Sequence, residues 1–215
     1  IKLADGRQKS PQIIFAQFNE LITKVPLLYF ILLVNSLTLA YTHYGVAPDY
    51  LTLYIAGFLS FACISRAIRW YGFRHKTFSF KQAKYQIQIT VFFSILMGIG
   101  FTLWGFTLFT YGDVELQTHV AYFMSITVIG VLVCLIHLPV AVWAASITVG
   151  LPFIVFFILS GQPVFVAIAI NFSMIIAALV PITLSYYRAF SNVINAKLEL
   201  ELQHEQTQRL NVQNE

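Results

Sequence analysis

The five histidines are the residues of this 215-residue chain best suited to chemistry. His43 precedes Asp49, and His119 follows Asp113 and Glu115. Imidazoles beside carboxylates can bind a cation or exchange a proton with the medium, because an unperturbed imidazole titrates near pH 6.5. Metal centres usually combine such ligands at tight, recurrent spacings, which these residues lack. His119 and His137 fall in one apolar run roughly 18 residues apart, a rise of about 27 Å along a helix, so they cannot share a ligand. His137 beside Pro139 either ligates a haem or simply closes a turn, and His75 and His204 read as ordinary solvated side chains. Polar groups inside apolar runs, with Asn35 and Asn171 foremost, contact a ligand or hydrogen-bond neighbouring helices, the latter worth about 0.6–2 kcal/mol each. His43, His119, Asp113, Glu115, Asn35 and Asn171 are therefore the candidate ligand-binding residues. Phe153, Phe156, Phe157, Phe165 and Phe172 line a pocket for a small or lipid-like ligand, or else face lipid.

Catalytic patterns do not occur. There is no Gly-rich phosphate loop, no His-Glu-x-x-His pair and no nucleophile elbow. The chain itself then offers no catalytic residue, metal site or cofactor site, and nothing resembling a nucleic-acid-binding surface. The two cysteines, Cys63 and Cys134, lie in apolar runs and are expected to remain thiols.

The elements that position these residues follow from composition. Hydrophobic residues make up 58% of the chain and charged residues 10%, with mean hydropathy +0.75. Soluble domains carry about 25% charged residues, so this is an integral membrane protein. Six runs approach the roughly 20 residues that a membrane-crossing helix needs, at 25–44, 50–68, 87–109, 118–137, 140–159 and 164–187. Turn residues separate them, among them Gly45, Pro48, Gly72, Gly112, Pro139 and Gly161. The runs do not alternate as barrel strands do. With six crossings, all 13 Lys and Arg residues fall on one side and the opposite loops contain none. Basic loops stay cytoplasmic, which puts both termini there. No signal peptide is expected, since no basic segment precedes a small-residue cleavage site. No acid or base stands in the middle of a run, which weighs against an ion-driven transporter. Gly98, Gly100 and Gly105 allow close helix packing in the third run.

The flanks complete the plan. Residues 1–24 are expected to form a cytosolic amphipathic lead-in helix, with Ile14, Phe18 and Leu21 on its apolar face and Gln17, Asn19, Glu20 and Lys24 on its polar one. Residues 25–187 form the membrane domain. Residues 188–215 continue the last run as a cytosolic helix in which Phe190, Ile194, Leu198 and Leu202 make a stripe at four-residue spacing. This stripe is the expected seam of a weak parallel coiled coil between two copies, able to hold two registers; the alternative is a partly frayed, solvated helix. The pattern stops in mid-course at Glu215, and the receiver of any movement is expected beyond it.

Three stretches carry a family likeness. They are Phe18-Asn19-Glu20-Leu21-Ile22-Thr23-Lys24-Val25-Pro26 with Leu32-Leu33-Val34-Asn35-Ser36; Gly130-Val131-Leu132 with Leu138-Pro139 and Gly150-Leu151-Pro152; and Asn195-Ala196-Lys197-Leu198-Glu199-Leu200-Glu201. The arrangement resembles the MASE-type membrane-associated sensor regions that precede bacterial GGDEF diguanylate cyclases. With the six apolar runs and the parallel seam of the tail, the resemblance gives the expectation of an all-α homodimeric sensor among the lipids of the bacterial inner membrane. It also implies an output domain that converts GTP, with Mg, to cyclic di-GMP. Similar modules precede histidine kinases, which keeps that output open. A small transporter is the alternative from another class.

Overall fold

The computed structural model describes residues 11–213, with side chains through residue 210. Residues 1–10 of the expected lead-in, with Lys2, Arg7 and Lys9, lie outside the described residues, as do the final two. Six helices are long and apolar enough to cross a membrane. They are α1 (Pro11–His43), α2 (Tyr50–His75), α3 (Phe80–Phe109), α4 (Val114–Cys134), α5 (Pro139–Leu159) and α6 (Pro163–Gln213). No strand occurs among the described residues, and the architecture is that of an all-α, multi-pass membrane protein.

Short turns make sequence neighbours antiparallel. Three turns at one end of the bundle use a glycine with positive φ, namely Gly45 at 79°, Gly112 at 85° and Gly161 at 69°. A glycine there has no Cβ to resist the left-handed conformation that ends a helix. The other end bears Arg66, Arg69, Arg74, Lys76, Lys81 and Lys84 and the chain's two flanks; it is the basic end. There α3 starts with a capping box, in which Ser79 and Gln82 satisfy each other's backbone N–H groups. The helices are not uniform. α2 opens with a π turn at Tyr50–Ile55, and α5 carries another at Ser146–Gly150 between two α segments. Trp104 of α3 donates its indole N–H to the Leu51 carbonyl at 3.0 Å, across the first of these turns.

α1 is the central element and packs on α2, α3, α4 and α6. The expected lead-in and first run are one unbroken helix with Pro26 inside it. Ile13, Ile14, Phe18 and Leu21 are buried against the bundle. Phe18 sits among Trp70, Phe73 and Phe78, with ring centroids 4.7–6.3 Å away. At the far end Phe109 meets Phe157 and Phe165, and Phe153 meets Phe172 at 4.4 Å. Phe153, Phe157, Phe165 and Phe172 are fully or almost fully buried. They hold α5 to α6 and α3, so they neither face lipid nor line an open pocket. Gly98 lets α5 approach closely, since a Cβ there would stand 3.0 Å from Val149 and 3.1 Å from Thr148.

Candidate functional site

At the far end, two of the candidate residues meet. Thr42 Oγ1 is 2.8 Å from His119 Nδ1 and 3.3 Å from His43 Nδ1. His43 is fully buried, its Nδ1 lies 3.0 Å from the Leu39 carbonyl, and its Nε2 has no partner. The acids do not join them. Asp113 is the N-cap of α4, where its carboxylate accepts the Leu116 N–H at 3.1 Å. Glu115 points outward in the first turn of α4, where a carboxylate is favoured by the helix dipole. No group of three or more His, Cys, Asp or Glu able to hold a metal occurs among the described residues. Asn35 is a helix clamp: its amide donates to the Phe123 carbonyl and to Thr127 Oγ1 of α4, both at 3.1 Å. It also borders a shallow apolar groove of about 240 Å³ beside Phe30, Val34 and Thr38. Asn171 stands apart from all of these, exposed on the outward side of α6.

The basic end holds the better-built cluster, centred on a residue that sequence reasoning treated as a turn. α4 ends at Cys134, so His137 lies beyond the helix rather than within it. Pro139 then starts α5, where its missing N–H is no loss. His137 is 3% exposed and is enclosed by the first and last helices. From α1, Gln17 Nε2 donates to the His137 carbonyl and Lys24 Nζ donates to its Nδ1 at 3.1 Å. Glu20 pairs with Lys24 at 3.0 Å and stands 3.9 Å from His137 Nε2. From α6, Phe190 and Tyr186 turn their rings edge-on to the imidazole, with centroids 4.7 and 5.4 Å away.

The electrostatics define the protonation state. An ammonium has only protons to give, so Nδ1 is an acceptor and the imidazole proton is on Nε2, toward Glu20. Burial holds the His137 pKa below its ordinary value and the Lys24 charge adds to this, while Glu20 pulls weakly the other way. His137 is therefore a neutral linchpin near pH 7. One signal for it was present in the sequence. Gln17, Glu20 and Lys24 recur at three- and four-residue spacing, which puts them on one helix face. That face was expected to meet solvent, yet Gln17 is 1% exposed because it reaches a backbone carbonyl contributed from another helix pair.

Beyond this hub, α1 and α6 run side by side. Phe15, Asn19, Ile194, Lys197, Leu198 and Glu201 line a cleft of about 290 Å³ between them. Ile194 and Leu198 are half-buried toward α1 and Phe190 is half-buried against His137, whereas Leu202 is exposed. The stripe expected to join two copies thus faces the chain's own first helix and His137 over most of its length. Arg66 also departs from expectation. It belongs to the basic end but is 6% exposed, with Nε 3.4 Å from the Tyr29 hydroxyl and the guanidinium 4.3 Å from the Phe93 ring centre. A cation over a ring face is attracted by its quadrupole, and no carboxylate among the described residues pairs with it.

This geometry defines a class: a helical membrane bundle whose final helix leaves the bundle locked to the first. Comparison with protein-family models, with curated proteins and with solved structures finds no match.

Proposed function

We propose that the chain is the membrane input module of a bacterial signalling protein. It resides in the inner membrane with both termini cytoplasmic and acts as a homodimer. The observation that carries this reading is α6, a single helix of 51 residues that leaves the apolar bundle and continues as a polar rod. At about 1.5 Å per residue it is roughly 75 Å long, and Pro181 does not break it. His137 grips it where it leaves the bundle, so rearrangement of α1 or of the α4–α5 turn shifts or rotates the rod. A two-state input of this kind needs only a few kcal/mol of differential ligand affinity. The ligand is a small or lipid-like molecule.

The likeness of the three sequence stretches to MASE-type regions supports a diguanylate cyclase as the output, using GTP and Mg in a following domain. The segregation of basic residues supports the orientation. The test is made on the full reading frame expressed in bacteria. Cyclic di-GMP is measured for the wild type and for His137→Ala, and the variant is expected to change production several-fold at equal membrane abundance. A frame lacking a catalytic domain overturns the proposal. Phosphotransfer in place of cyclic di-GMP would keep the sensor and replace its output with a histidine kinase.

A further inference from the structure

Asn171 is the one candidate residue that the folded chain leaves without an evident use. It lies eight positions into α6, about 12 Å from the helix start and so inside a hydrocarbon layer about 30 Å thick. Its side chain is exposed on the outward face, and no other described residue hydrogen-bonds to it. An amide facing hydrocarbon without a partner is costly. Ala167, Met174, Ile175, Ala178 and Ile182 on that face are all exposed as well.

The same side of α6 continues into water with a different problem. Val193, Leu200 and Leu210 are 66%, 67% and 60% exposed, where no lipid covers them. With Ala189, Ala196 and the polar pair Gln203 and Thr207 they follow each other at alternating four- and three-residue steps, the spacing of a coiled-coil seam. This row is distinct from Ile194 and Leu198, which α1 covers, and from Phe190, which packs on His137. Leu210, out of step with that stripe, is in step with this row.

We infer that the outward face of α6 is a docking surface for a second copy of the chain, keyed by an Asn171–Asn171 pair in the membrane and continued by the Val193–Leu210 row outside it. An amide carries a donor and an acceptor, so it is complementary to its own copy across a two-fold axis. The second copy is parallel. Only a parallel copy matches lipid-immersed residues with lipid-immersed ones and the tail with the tail. α1 covers the other side of each rod, so the dimer is a four-helix arrangement at the basic end. This surface deepens the proposed function and rests on it only in treating the rod as the output path.

The test uses the full chain in native membranes, with Cys63 and Cys134 replaced by alanine and single cysteines introduced for crosslinking. Val193→Cys, Ala196→Cys and Leu200→Cys are expected to give a product of twice the chain mass, with Ile194→Cys and Leu198→Cys at least about five-fold weaker. Asn171→Leu is expected to lower the Ala196→Cys product about five-fold, and Asn171→Gln to restore it. Asn171→Leu replaces an outward polar group with an apolar one, and unchanged thermal unfolding in detergent verifies its fold. Crosslinking that peaks at 194 and 198, a product containing a different protein, or indifference to Asn171→Leu overturns the inference. The expected crosslinking pattern without any cyclic di-GMP response would sink the proposed function and leave the interface standing.

Discussion

His137 combines three roles in one residue: its backbone carbonyl receives Gln17, its Nδ1 receives Lys24 and its ring is wedged by Tyr186 and Phe190. Every element packed against it contributes, with Glu20 and Lys24 as the charged groups from α1 and Tyr186 as the titratable one from α6. Because its pKa is lowered in the folded chain, protonation favours the open junction. The stabilisation is complete above the unfolded value of about 6.5 and is lost as pH falls from there toward the folded value. Labelling of an Ile194→Cys thiol in the adjoining cleft, divided by the rate of a free thiol at the same pH to remove the change in thiolate fraction, is therefore expected to stay slow above that pH and to accelerate below it. His137→Gln is expected to flatten the profile; a corrected Ile194→Cys rate with His137 intact that does not change between pH 7.5 and 5 would contradict the assignment. The outer histidines illustrate the reverse situation. His43 and His119 meet through Thr42, but Asp113 is committed to capping α4 and Asn35 to clamping α1 on α4. Polar residues chosen by type for ligand binding were largely used for structure, because buried helix ends and helix interfaces need partners as urgently as a ligand does.

Among the elements, α6 decides whether movement can leave the bundle. A helix transmits rotation only while its backbone bonds are continuous. Pro181 is tolerated within the apolar part, where neighbouring helices support the chain. Glu205→Pro, beyond the part of α6 that α1 covers, would remove a bond and introduce a clash without such support, costing about 3 kcal/mol of local helix stability. The expected outcome is an intact bundle by thermal unfolding in detergent, with the output no longer responsive to His137→Ala. Persistence of that response would show that the rod is not the path. The extension of α1 to Pro11 has a related physical origin. Ile14, Phe18 and Leu21 are buried in the bundle, with Phe18 against Trp70, Phe73 and Phe78, at roughly 25 cal/mol per Å² of apolar area removed from water. The sequence showed the apolar face, but its partners, Trp70 and Phe73 at the end of α2 and Phe78 in the turn after it, lie more than 50 residues away.

At the scale of the whole molecule, the basic and far ends present opposite chemistry, which gives the topology a direct check. Single cysteines introduced as Val46→Cys and Gln162→Cys are expected to react with a membrane-impermeant maleimide on intact cells. Cysteines at Ser79 and Asn195 are expected to react only after permeabilisation. Labelling of 79 or 195 on intact cells would invert the orientation. Arg66 sharpens the distinction between counting charges and locating them. It supports the orientation as one of the basic residues, yet it is enclosed between Tyr29 and Phe93 rather than held at a surface.

The sequence alone determined the six helices, their alternation and the continuity of the last into the tail. Those features depend on local hydropathy, turn residues and backbone hydrogen bonding that each segment must satisfy by itself in lipid. Tertiary structure alone decided which polar residues were structural and which met. His137 became the hub because a turn between α4 and α5 lands between helices whose contacting residues lie at positions 17–24 and 186–190. It also decided which side of α6 α1 covers and which it leaves open. Periodicity reveals that a helix has an apolar stripe, but the stripe's partner is set by packing between segments far apart in the chain.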